Sequence, residues 1–236
     1  ALTAATTPRP STATPNIIVL LADDMGYGDP RCYNPASKIP TPNMDRMAAE
    51  GLRFTDAHTP AAVCTPTRYG TLTGRYSWRT RLKNMVLWSE YEEPLIDPQR
   101  ETVARLLQRA GYRTAAVGKW HLGLGTTVEK NWNEEITPGP NEVGFGYSFI
   151  FPASADRVPT VFIENHFAVG LNKEDPLQTD YKKPIGTEPT GKEHPELLKM
   201  LSSPGQGHNQ TIVNGIGRIG YMSGGKTARW TDEELS

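Results

Sequence analysis

The chain has 236 residues, 37% hydrophobic and 22% charged, enough apolar material for a sizeable core and too little charge for a disordered polyelectrolyte. Its 25 basic and 26 acidic side chains leave a formal net charge of −1, which excludes a long-range field that would gather nucleic acid or an anionic membrane. Apolar runs stay well below the roughly 18 residues of a membrane-spanning helix, so no membrane span is expected.

In chain order, the Thr-, Pro- and Ala-rich residues 1–15 predict a flexible tail ahead of one α/β domain over 16–236. They lack the basic and apolar regions of a signal peptide, and the tail is of the kind left after cleavage, which favours a periplasmic or secreted protein. The run Asn16-Ile-Ile-Val-Leu-Leu-Ala22 predicts a strand buried on both faces, ending at Asp23 and Asp24. Thr41 and Pro42 suit the N-cap and first position of a helix that shows Met44, Met47 and Ala48 on one face and stops at Gly51.

After an extended piece from Leu52 to Asp56, Pro66 opens a second helix that ends at Gly74 and puts Cys64 at its N-terminus. A third helix is expected from about Pro98, behind Asp97, carrying Val103, Leu106, Leu107 and Ala110 to Gly111, with a strand following over Arg113 to Val117. This alternation predicts an α/β fold with an open, mainly parallel sheet flanked by helices on both faces, and sites beyond the carboxyl ends of its strands. Asp23, Asp24, Lys119 and His121 fall at such ends. From Gly125 onward the Gly, Pro, Asn and Lys content predicts long surface insertions with a short strand near Val158 to Glu164. Thr231 and Glu234 have capping-box spacing, the start of a helix with no room to continue, so a truncated domain is expected, with a frayed tail as the plain alternative.

Cys64-Thr-Pro-Thr-Arg68, continuing to Leu72, Gly74 and Arg75, is the most informative stretch. A nucleophile at a helix N-terminus faces unpaired N–H groups and a positive dipole end, both suited to an anion, and Arg68 lies one turn further on with a fixed charge. On Cys64 and Pro66 alone, a small buried cysteine ahead of a helix-opening proline is the plainer reading. Cys32 and Cys64 allow one disulfide, and neither sits in a CxxC pair.

Together with Asn16 to Asp29 and Gly118-Lys119-Trp120-His121-Leu122-Gly123, this stretch resembles the sulfatase family, the formylglycine-dependent, arylsulfatase-like enzymes of the alkaline phosphatase superfamily, over roughly residues 16 to 165. The resemblance implies that Cys64 is oxidised by formylglycine-generating machinery to formylglycine, whose hydrated aldehyde attacks sulfur. It implies a calcium ion held by Asp23, Asp24 and the group formed from Cys64, with Lys119 on the sulfate oxygens, His121 hydrogen-bonded to the hydrate and Arg68 stabilising both. Lys119 and His121, two apart, would leave one face if the strand runs through both. The family also uses a later Asp-Asn-Gly segment, a later histidine acting as general acid and a later lysine. No Asp-Asn dipeptide occurs here, so a missing C-terminal segment is expected to complete the site.

Gly144 to Asn165 looks like a segment of bacterial carbohydrate sulfatases, in which Asp156 and Arg157 would contact a sulfated carbohydrate substrate; a solvated ion pair is the plain alternative. Gly220 to Thr227 fits the P-loop pattern, but lacks a good feeding strand and a following helix. The remaining alternatives are a related phosphohydrolase and an inactive fragment or sulfated-sugar-binding module.

Overall fold

Pro42 opens helix α1 (Pro42–Glu50) because its missing N–H costs nothing at a first helical position. In this computed structural model, which describes residues 14–23, 25–88, 93–126, 130–200, 207–231 and 233–235, the chain divides into two compact units, 1–55 and 56–236. Residues 1–13 of the expected tail and Asp24 lie outside the described residues.

In the first unit, the Thr41 side chain does not cap its own helix. Its Oγ1 accepts from Arg31 N (2.9 Å) and donates to Asp45 Oδ1 (3.3 Å), and the same carboxylate oxygen accepts from Cys32 N (2.7 Å). The helix start is thereby tied to the loop before it. The strand expected at 16–22 is not formed: these residues carry no sheet pairing, and Ile18 is 80% exposed. A run apolar on both sides needs backbone partners and covering layers, and the described residues supply neither.

The second unit holds α2 (Cys64–Thr73), α3 (Val103–Arg109) and a four-stranded sheet of β1 (Ala115–Lys119), β2 (Tyr147–Phe151), β3 (Ile163–Glu164) and β4 (Phe167–Ala168) in that order. β1 and β2 run parallel, with Lys119 opposite Phe151, while the β2–β3 and β3–β4 pairs are antiparallel. The α/β class therefore stands, with a mixed sheet. Two antiparallel pairs complete the unit: β5 (Gln178–Asp180) with β8 (Tyr221–Ser223), and β6 (Ile212–Val213) with β7 (Ile216–Gly217). The β6–β7 turn, Asn214-Gly215, has positive φ at both residues (57° and 82°), as a tight hairpin requires.

Other departures have local causes. α3 begins at Val103 instead of near Pro98, because Asp97 closes a turn by accepting from Gln99 N (2.8 Å), and Thr102 takes the N-cap by accepting from Arg105 N (3.1 Å). The following strand starts two residues later than expected, at Ala115. Residues beyond Gly125, expected as surface insertions, supply Trp132, Ile136, Val143, Ile150, Val161, Ile163 and Met222 to the core that also holds Trp120 and Leu122. Strands of two or three residues are too short to leave a periodic pattern.

At the P-loop look-alike, Lys226 N donates to the Asp175 carboxylate (2.8 Å), placing an anion where a phosphate would have to sit. The capping box forms: Thr231 N donates to Glu234 Oε2 (2.6 Å) and Glu234 N to Thr231 Oγ1 (3.3 Å). Both cysteines are free. No helix among the described residues is long and apolar enough to cross a membrane.

Candidate active site

Cys64 occupies the first position of α2, behind an extended Val63 that provides no side-chain cap. The orphan N–H groups of the first turn therefore lie at the Cys64 end of the helix. Gly74 closes the helix in the left-handed conformation (φ 65°). The half-buried thiol accepts a hydrogen bond from Lys119 Nζ at 3.2 Å. Arg68, one turn along, donates through Nη1 to the Lys119 carbonyl (2.6 Å), so guanidinium, ammonium and sulfur are gathered by one helix end and the end of β1.

Thr65, fully buried, joins three segments. Its Oγ1 donates to the His121 carbonyl (2.9 Å) and accepts from Leu87 N (3.2 Å). His121 does not continue the strand with Lys119: it has φ 54°, in the left-handed region, and the alternation of faces breaks there. A non-glycine residue holds this conformation because both ends are anchored, its N–H to Pro152 O (3.0 Å) and its carbonyl to Thr65.

His121 is 2% exposed, and its Nε2 lies 2.8 Å from the Leu87 carbonyl. A carbonyl can only accept, so the proton is assigned to Nε2 and Nδ1 carries the lone pair. Nδ1 is buried and has no hydrogen-bond partner among the described residues. Burial, then the Arg157 cation, and more weakly the Lys119 and Arg68 cations, push His121 down from the ordinary 6.5 to about 3; the Leu87 contact opposes them. The imidazole is neutral across the physiological range.

That shift links stability to acid. A histidine whose folded value lies below its unfolded value contributes fully above the unfolded value, and the contribution falls as pH drops from about 6.5 toward about 3. Gln at this position can still donate to Leu87 O without titrating. The native chain is expected to lose about 2–3 kcal/mol more than His121→Gln between pH 7 and pH 4, read from denaturant midpoints; parallel curves would show that His121 is not the group responsible.

Arg157 is turned inward. Its Nη1 donates to Leu87 O (2.8 Å) and Trp88 O (2.9 Å) and lies 3.2 Å from His121 Nε2. Asp156 beside it (3.9 Å to Arg157 Nε) accepts from Ser154 Oγ and pairs with His208 Nε2 at 2.9 Å. Burial alone would raise the Asp156 carboxyl; the Ser154 and His208 hydrogen bonds and the Arg157 charge outweigh it and hold the group below its usual value.

Cys64, Arg68, Lys119, His121, Arg157 and Asp156 are thus linked by a chain of contacts within the second unit. Sequence reasoning missed Leu87, which fixes the imidazole by its backbone, and His208, a lone histidine in a glycine-rich stretch with no local signal. Asp23 is exposed in the first unit. Among the described residues no group of three or more His, Cys, Asp or Glu is placed to hold a metal ion. The Asp23 and Asp24 carboxylates suit calcium in kind, but two acids fall short of its usual six to eight oxygens, so the described residues do not by themselves make a calcium site.

A family model described as sulfatase matches residues 15–159. The chain is 49% identical over 222 residues to an N-acetylgalactosamine-6-O-sulfatase of Bacteroides thetaiotaomicron, covering 94% of this chain and 42% of that protein. It is 48% identical over 112 residues to human arylsulfatase A, covering 47% of this chain and 22% of that one. A solved structure from work on the metabolism of multiple glycosaminoglycans by Bacteroides thetaiotaomicron aligns with TM-score 0.84 and 48% identity, over 90% of this chain and 43% of the other. The chain therefore spans less than half the length of these relatives.

Proposed function

Because this chain belongs to the sulfatase family, we propose that its Cys64 site serves the hydrolysis of sulfate esters on a sulfated carbohydrate, with N-acetylgalactosamine 6-sulfate as the first substrate to try. The observation that carries the reading is the Lys119 ammonium seated on the Cys64 sulfur at an uncapped helix N-terminus, 3.2 Å away. The name of the Bacteroides relative supports the choice of sugar. Cys64 Sγ marks the place of the nucleophilic atom; oxidised to formylglycine by its maturation machinery, this residue would supply a hydrated aldehyde with a nucleophilic hydroxyl.

The surrounding side chains supply the rest of what this chain offers. Lys119 brings a compact positive charge to the anionic sulfate oxygens, and Arg68 adds a second charge while holding the Lys119 backbone. Neutral His121 offers Nδ1 as an acceptor for a hydroxyl proton, its tautomer fixed by Leu87. Asp156 is held ionised by Ser154 and His208, ready to accept from a sugar hydroxyl, and Arg157 positions the imidazole and the Leu87–Trp88 backbone. Calcium belongs to the proposal through Asp23 and Asp24, with further oxygen ligands supplied from elsewhere; bound, it would supply positive charge that offsets that of an anionic sulfate ester. Periplasmic or secreted placement goes with the same reading.

The test is release of inorganic sulfate from N-acetylgalactosamine 6-sulfate, beside phosphate release from the matching 6-phosphate. Sulfate release that exceeds phosphate release and falls at least about tenfold on calcium chelation is the expected result. A preference for the phosphate ester would favour the phosphohydrolase reading, and turnover indifferent to chelation would remove calcium from the proposal.

A further inference from the structure

Within a network of buried groups, Trp88 stays at the surface. Leu87, His121 and Arg157 are each under a tenth exposed, whereas Trp88 is 48% exposed as a residue. Its backbone is pinned on both sides: Leu87 N is held by Thr65, the residue after the nucleophile, Leu87 O by His121 and Arg157, and Trp88 O by Arg157 Nη1 at 2.9 Å. The Arg157 guanidinium lies over the Trp88 ring, 5.0 Å from its centre, close enough for a cation–π contact that favours one placement of the ring. A large flat apolar surface is therefore held in a set orientation by the same groups that orient the candidate catalytic histidine.

We propose that Trp88 is the sugar-binding platform of this site, taking the apolar C–H face of the pyranose ring that carries the sulfate ester. The inference rests on the sulfated-carbohydrate reading above. A pyranose presents hydroxyls around its rim and C–H groups on its faces, so an indole covers the face while polar groups such as Asp156 address the rim. Inorganic sulfate has no such face and draws only on the charged groups around Cys64. Because the ring is oriented before the ligand arrives, little ordering cost is left to binding. Trp88 thus acts on affinity for the sugar part alone and takes no part in the chemical step.

The test measures binding by titration calorimetry in the full chain with Cys64→Ala present throughout, using N-acetylgalactosamine 6-sulfate and inorganic sulfate as probes. Trp88→Ala is expected to weaken binding of the sugar sulfate about tenfold and leave inorganic sulfate within about twofold; Trp88→Phe, which keeps a flat ring, is expected to lose no more than about threefold on the sugar. Unchanged sugar binding in Trp88→Ala, or an equal loss for both probes, would overturn the platform. If protein with Trp88 intact binds inorganic sulfate but gains nothing from the sugar, the platform fails while the anion site stands. If it binds neither probe, the sulfate-ester reading itself fails, and the platform with it.

Discussion

Replacing Cys64 with alanine is expected to lower sulfate release by about 10⁴-fold or more, the scale of losing a covalent nucleophile whose partners act as a unit. Cys64 is half-buried and takes part in no side-chain cap, so its removal should leave the melting temperature nearly unchanged and the loss can be assigned to chemistry. Peptide mass spectrometry at residue 64 of the unsubstituted protein belongs with this experiment, because thiol and formylglycine differ in mass. Formylglycine in the active protein is the expected finding. Full turnover from protein that carries only the thiol would sink the formylglycine nucleophile, and substantial activity in Cys64→Ala would move the reaction away from this helix end altogether.

Removing the Lys119 side chain is expected to cost about 10²–10³-fold in kcat/KM, the usual scale for losing one preorganised charge at a developing anion. The fold should tolerate Lys119→Ala, because Arg68 binds the Lys119 carbonyl (2.6 Å) and not its side chain, and the β1–β2 pairing is backbone as well. Lys119→Arg should recover only part of the loss, since a planar fork cannot occupy the place of a compact ammonium 3.2 Å from the Cys64 sulfur. A rise in KM at constant kcat would mean that Lys119 holds the ground-state sulfate equally well and does not favour the transition state.

Much of this site could be read directly from the chain. Pro42 and Gly51 bracket α1, Cys64 and Gly74 bracket α2, and the Thr231–Glu234 capping box forms as spaced; each is a contact between residues a few positions apart, where backbone geometry fixes who meets whom. The same locality misled at Asp97, which closes a turn while Thr102 caps α3, since both are good N-caps and only packing chooses between them. The strand expected at 16–22 fails for the opposite reason: apolar character states that a segment needs burial, and says nothing of what will cover it.

Sequence by itself determined the family, and it singled out Cys64, Arg68, Lys119 and His121 as the residues to which the proposed chemistry is assigned, because they stand in short motifs. Only the tertiary structure decided how those residues are set. The proton on His121 Nε2 is assigned by a carbonyl 34 residues away, Arg157 reaches that same carbonyl across 70 residues, and His208 meets Asp156 across 52. Contacts of that span depend on where β1, β2 and the loops between them finally settle, and no periodicity or spacing along the chain encodes them.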